Sequence, residues 1–187
     1  MSVPREKLSI EGFLAWEEGQ SERHYFWRGE VFAMVGVRQS HAIVALNLAA
    51  AIKLALRGTP CRTFIADMRL RIDAAEAVFY PDVMVSCDPR DRTTPTYLTH
   101  PKLVVEVLSP ATADFDRGAK FAAYRLIDTL EEYALIDVDA RRVELFRRNA
   151  AGRWELYEFS GGQAVEFASV GLSLSPESLY ENVEPGE

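Results

Sequence analysis

Two strand-like runs each carry one carboxylate where an apolar side chain would be expected. Val78-Phe79-Tyr80-Pro81-Asp82-Val83-Met84-Val85 holds Asp82, and Lys102-Leu103-Val104-Val105-Glu106-Val107-Leu108-Ser109-Pro110 holds Glu106. An ionised carboxylate in such a run is costly unless a metal ion, a partner charge or hydrogen bonds compensate it. A segment of helical character follows and carries Lys120 and Tyr124, four apart and so neighbours on a helix, with Asp116 one turn earlier. Asp82 and Glu106 are 24 residues apart (106 − 82), room for one strand, a loop and a neighbouring strand. On adjacent strands the two carboxylates can meet on one face near one end. Two hard oxygen ligands with open positions suit Mg²⁺ or Mn²⁺; magnesium usually keeps several waters and takes only one or two carboxylates. Such an ion activates water and offsets charge building on a phosphate. A lysine ammonium nearby can orient the attacking water or stabilise the transition state, because it is a compact point charge.

Taken singly, each residue has an ordinary explanation. Pro-Asp before an apolar strand is common, Glu106 could pair with a structural arginine, and Lys120 could be a solvated helix residue. Their order and placement together point to metal-dependent hydrolysis. No Ser-His-Asp triad and no phosphate-binding Gly-rich loop appears.

The elements that must position these residues can be read from periodicity and turn chemistry. Ser9 is a cap for a short helix over 10–18, ended by Gly19. His24 to Trp27 and Val31 to Val35 form a hairpin around Arg28-Gly29, where Gly29 suits a positive φ. Glu30 opens its second strand, and its ordinary role is a turn-flanking charge. Ser40 is the cap candidate for a helix over 41–57, apolar on most sides and so expected to pack on both. His41 in its first turn is either a capping or packing residue or one that approaches a phosphate or a metal-bound water. Residues 61–72 read as one long strand or a bent pair. Leu103 to Leu108 reads as a strand covered on both faces, with Val104, Glu106 and Leu108 on one side and Val105 and Val107 on the other. A helix over 113–127 follows, then alternating strands to the C-terminus and a short closing helix with Pro176 at its first position.

Length and composition bound the function. A chain of 187 residues is expected to form one domain, 1–187, with a sizeable core. No apolar run reaches a bilayer span, and the polar start Met1 to Lys7 lacks the apolar core of a signal peptide. The expected location is the cytoplasm, with no membrane partner. Cys61 and Cys87 do not make a disulfide framework, and no Cys or His pair has zinc-finger spacing. The net charge of −7 argues against a general nucleic-acid coating protein but does not exclude an enzyme with a local basic cleft. Arg69, Arg71, Arg117 and Arg125 are the candidates for phosphate contact. The cluster Arg141, Arg142, Arg147, Arg148 and Arg153 reads as a solvated hairpin face.

Tyr80-Pro81-Asp82, then Val105-Glu106-Val107-Leu108-Ser109-Pro110-Ala111-Thr112, then Asp116, Lys120 and Tyr124, resembles the PD-(D/E)XK nuclease superfamily, and more narrowly the Uma-type putative restriction endonuclease family. The resemblance implies an α/β (α+β) fold: a restriction-endonuclease-like central mixed β-sheet flanked by helices, with additional antiparallel strands toward the C-terminus. It implies Asp82 and Glu106 as metal ligands, joined by the backbone carbonyl of Val107, around Mg²⁺ or Mn²⁺. The superfamily's lysine normally lies two residues after the acidic residue, where this chain has Leu108; the resemblance implies that Lys120 takes its place from the helix. The expected function is a metal-dependent endonuclease acting on DNA, with Asp82, Glu106 and Lys120 catalytic and Glu30, His41 and Tyr124 secondary candidates. The alternatives are a non-catalytic interaction module with the nuclease fold and a metal-dependent hydrolase of small phosphoesters. Edge strands near the C-terminus offer a surface for a homodimer.

Overall fold

The computed structural model describes residues 6–184; residues 1–5, most of the polar start read above as no signal peptide, lie outside the described residues. The chain opens with helix α1 (Ile10–Glu17), whose cap Ser9 accepts a hydrogen bond at its Oγ from the Gly12 N–H at 3.1 Å. A hairpin of β1 (His24–Trp27) and β2 (Glu30–Ala33) follows, turned by Arg28 and Gly29 at φ 51° and 90°. Next come α2 (Gln39–Ala55), β3 (Arg62–Ile65), β4 (Arg69–Ile72), β5 (Ala77–Phe79), β6 (Val83–Ser86), β7 (Tyr97–Leu98) and β8 (Leu103–Val107). A helical segment over 113–124 leads to β9 (Glu132–Asp137), β10 (Arg142–Arg148), β11 (Trp154–Phe159), β12 (Val165–Phe167) and β13 (Leu172–Leu174). The closing helix, Pro176–Leu179, is capped by Ser175.

The mixed α+β architecture agrees with the expectation, with the strands divided between two mixed sheets. One has five strands in the order β2-β1-β5-β4-β7, and the other six in the order β11-β10-β9-β8-β6-β3; β12 and β13 form a separate hairpin. In the larger sheet β8 runs antiparallel to β6 and parallel to β9. The parallel pair requires a crossover, which the helical segment 113–124 supplies. Strand β8 is buried on both faces, as its unbroken apolar run demands. Val105 and Val107 pack into a core shared with Val44, Leu48 and Ile52 of α2. Val104 and Leu108 face a second core containing Phe79, Tyr124 and Tyr133.

Several local expectations are corrected. Of the two readings of residues 61–72, the single long strand fails and two strands are found: the chain turns at Ala66 (φ 33°), and β3 and β4 go to different sheets. Arg38, not Ser40, occupies the N-cap position of α2. That helix packs on one side, since Leu46 and Leu54 face outward. The crossover helix ends at Tyr124 rather than at 127. Cys61 and Cys87, read as making no disulfide framework, follow the β3–β6 register (Arg62 opposite Ser86) one step outward and are joined by a single disulfide. Among the described residues no helix is long and apolar enough to cross a membrane.

Candidate active site

The chain changes sheets at residues 80–82. Strand β5 ends at Phe79 in the five-stranded sheet and β6 begins at Val83 in the six-stranded one. Pro81 cannot donate to a ladder, so a break in pairing falls naturally there. Asp82 is therefore the last residue before β6. The β6–β8 register pairs Val83 with Val105, and one further step sets Asp82 opposite Glu106. The two carboxylates that looked misplaced in separate strands are cross-strand neighbours.

Each is held by specific partners. Asp82 Oδ2 accepts the Val107 N–H at 2.7 Å, and Oδ1 lies 2.9 Å from His41 Nε2. His41 belongs to the first turn of α2 and is buried; its Nδ1 has no hydrogen-bond partner among the described residues. Glu106 Oε1 accepts the Tyr124 hydroxyl at 2.6 Å and lies 3.0 Å from Lys120 Nζ. Lys120 Nζ is also 2.7 Å from Asp116 Oδ1. The helical segment is α-helical over Ala113–Phe115, π-helical over Asp116–Lys120 and α-helical again over Phe121–Tyr124. Single π turns inside α-helices recur at functional sites. Here the turn carries Asp116 and Lys120, and Tyr124 continues the same face toward Glu106. Leu108 itself is buried in the apolar core, so the ammonium beside Glu106 comes from the helix.

Burial dominates the electrostatics. It pushes the Glu106 carboxyl up to about 8; Lys120 and the Tyr124 hydroxyl pull against the rise, and Asp116 and Asp82 add to it. For Lys120 burial is again the largest influence and opposes the charge, but Glu106 and Asp116 together outweigh it, so the ammonium is retained and its pKa raised. Burial, then the Glu106 charge, drives the Tyr124 hydroxyl well above the usual phenol range, so it remains a donor.

His41, Asp82, Glu106, Asp116 and Lys120 form the floor of a cavity of about 260 Å³, with Tyr124 behind Glu106. Its walls include Tyr25, Tyr80 and Phe115, and its rim includes Met34, Val35 and Val37. Among the described residues no group of three or more His, Cys, Asp or Glu side chains is arranged to hold a metal ion. The oxygen set nevertheless suits a hard divalent cation. A carboxylate accepts at about four sites, and Asp82 uses two. The Val107 N–H points at Asp82, and in an extended strand a residue's carbonyl points to the same edge as its N–H. Asp82, Glu106 and that carbonyl are thus the groups available to hold Mg²⁺ or Mn²⁺, which need only one or two carboxylates beside water.

Other candidates fall elsewhere. Glu30 is exposed opposite Trp27 in the hairpin and does not line the cavity. None of the four arginines lines it either. Arg69 Nε donates to the Tyr80 hydroxyl at 2.9 Å, which donates to the buried Glu17 at 2.9 Å, and Glu17 in turn holds His24. Arg71 pairs with Glu11 and Asp73, and Arg117 makes two bonds to Glu144 at 3.1 and 3.0 Å. Arg125 is exposed and lies over the Phe121 ring. Sequence reasoning did not single out Tyr25 and Phe115 as cavity walls, and it gave Asp116 no role. For Asp116 the signal was present in its four-residue spacing from Lys120; for the aromatic walls there was none.

Comparison with known proteins gives the family and the fold. Residues 10–177 match a family described as "Uma2: Putative restriction endonuclease". The uncharacterized protein slr1290 of Synechocystis sp. is 35% identical over 182 residues, covering 97% of this chain and 96% of that protein. The uncharacterized protein sll1609 of the same organism is 36% identical over 164 residues, covering 86% and 93%. A crystal structure of a "putative nuclease belonging to DUF820" from Anabaena variabilis superimposes with a TM-score of 0.73, covering 92% of this chain and 97% of that one at 18% identity. At that identity the match speaks for the fold.

Proposed function

This chain belongs to the Uma2 family of putative restriction endonucleases, and on that premise we propose that it is a metal-dependent endonuclease hydrolysing DNA phosphodiester bonds. The observation that carries the reading is the convergence of Asp82, Glu106 and Lys120 on one cavity floor, from a strand break, a neighbouring strand and a crossover helix. Asp82, Glu106 and the Val107 carbonyl would hold Mg²⁺ or Mn²⁺, which when bound supplies an activated water and charge neutralisation at the phosphate. The chain's own residues do the rest. His41 fixes the orientation of Asp82, and the Val107 N–H holds its second oxygen. Tyr124 orients Glu106, whose carboxyl must release its proton to serve as a hard ligand. Lys120, kept charged by Asp116 and Glu106, can orient the attacking water and offset charge on the non-bridging phosphate oxygens.

Incubating the protein with plasmid DNA and Mg²⁺ or Mn²⁺ tests this. Cation-dependent cutting that Asp82→Ala abolishes is expected, with His41→Ala about 10–100-fold slower, the usual cost of losing a group that orients a ligand. No cutting by the wild type across duplex and single-stranded substrates, or undiminished cutting by Asp82→Ala, would refute the reading. One observation favours a second: Lys120 Nζ already has oxygen partners in Glu106 and Asp116, at 3.0 and 2.7 Å, without a cation. A non-catalytic module with the same fold would bind DNA and show no cation-dependent turnover.

A further inference from the structure

Resting on the nuclease reading of this cavity, we propose that the strand it accepts is unpaired, a single-stranded DNA segment whose base lies against the aromatic wall. Three observations carry this.

The first is depth. The reactive groups lie on the floor, with the side chains of Glu106, Lys120 and Asp82 only 4%, 11% and 20% exposed. A duplex carries its phosphates on the outside of a stiff rod that is costly to bend over short lengths. A phosphate reaches a recessed floor more readily on a strand free to leave the helix and bend locally than on that stiff rod.

The second is the chemistry of the walls. Tyr25 stacks on Phe32 at 4.9 Å between ring centroids and meets Phe115 at 5.4 Å. At the rim Met34, Val35 and Val37 are exposed by 39%, 69% and 55%. Aromatic and apolar surface suits the face of a base, which a duplex keeps stacked inside itself; a duplex would bring phosphates against the rim instead. Aromatic stacking is a principal source of affinity at single-strand sites.

The third is charge. Lys120 is the only lysine or arginine among the described residues that line the cavity. Arg69, Arg71 and Arg117 are engaged by Tyr80, by Glu11 and Asp73, and by Glu144, and Arg38 beyond the rim pairs with Asp139. Duplex affinity rests on several phosphate contacts made at once. A site with one cation and aromatic walls is matched to a short unpaired segment.

The test compares one DNA strand presented three ways: single-stranded, fully paired with its complement, and paired except for a central bubble. Each is incubated with the wild-type protein and Mn²⁺. The expected result is cutting of the single strand and of the bubble at least about tenfold faster than the paired strand, the scale of one base-stacking contact. Tyr25→Leu should raise KM on the single strand by a similar factor; if that chain does not fold, the wild-type ratio decides. Equal or faster cutting of the paired strand overturns the inference and leaves the nuclease reading standing. A folded Tyr25→Leu protein with unchanged KM on the single strand overturns it as well. No cation-dependent cutting of any of the three removes both.

Discussion

Glu106→Gln should make the cation-free protein more stable at alkaline pH and leave it nearly unchanged in acid. Glu106 is 3% exposed and its carboxyl is raised from 4.5 to about 8 by burial. Between those values the folded chain holds a proton that the unfolded chain has released, so stability falls as pH rises. The full contribution is present below 4.5 and is lost on passing about 8. At about 1.4 kcal/mol per pH unit the span from 4.5 to about 8 is worth about 5 kcal/mol, about 4 of it between pH 5 and pH 8.5. Glutamine has the shape of the protonated acid and does not titrate. Urea unfolding in EDTA at pH 5, 7 and 8.5 therefore should show the two proteins together at pH 5 and Glu106→Gln about 4 kcal/mol more stable at pH 8.5. Adding Mg²⁺ or Mn²⁺ at pH 8.5 should restore the wild type far more than the variant, because a cation that binds only the folded chain stabilises it by mass action. Parallel pH profiles in EDTA would refute the reasoning: Glu106 would then titrate as an ordinary carboxyl.

Two further outcomes follow from buried charges. Lys120→Met should slow cation-dependent cutting by about 10²–10³-fold, the usual loss for one group stabilising transition-state charge. It should also cost about 3–5 kcal/mol, since Asp116 is left buried without its cation; cleavage kinetics and urea midpoints read the two effects separately. Glu132, fully buried, accepts from Arg147 Nε at 2.6 Å and from the Ser169 N–H at 2.9 Å. Glu132→Ala should cost a similar 3–5 kcal/mol, and cutting measured well below its unfolding midpoint should match the wild type, because this pair does not line the cavity.

Much of the site was legible in local pattern. The period-two alternation of β8 assigned Glu106 to the face opposite Val105 and Val107, and the two cores confirm that division. The four-residue interval assigned Lys120 and Tyr124 to one helix face, where both now reach Glu106. The Arg28-Gly29 turn and the Ser9 cap followed from residue chemistry in the same way. Such features depend on contacts within a few residues, and the repeat of the element itself reveals them.

Tertiary structure decided what local periodicity does not encode. A strand pattern tells which side chains share a face, but not which strand lies alongside or in which register. The antiparallel register of β6 and β8 is what sets Asp82 against Glu106, and α2 brings His41 to Asp82 from 41 residues away. Long-range pairing likewise withdrew the arginines: Arg69 to Tyr80, Arg71 to Glu11 and Arg117 to Glu144. Read singly, each was an available cation; in the fold each has a partner, since a partly buried charge must find one. By itself the sequence determined that two carboxylates and a lysine occupy elements able to present them. Their convergence on one floor, with the arginines elsewhere, rests on packing between segments far apart in the chain.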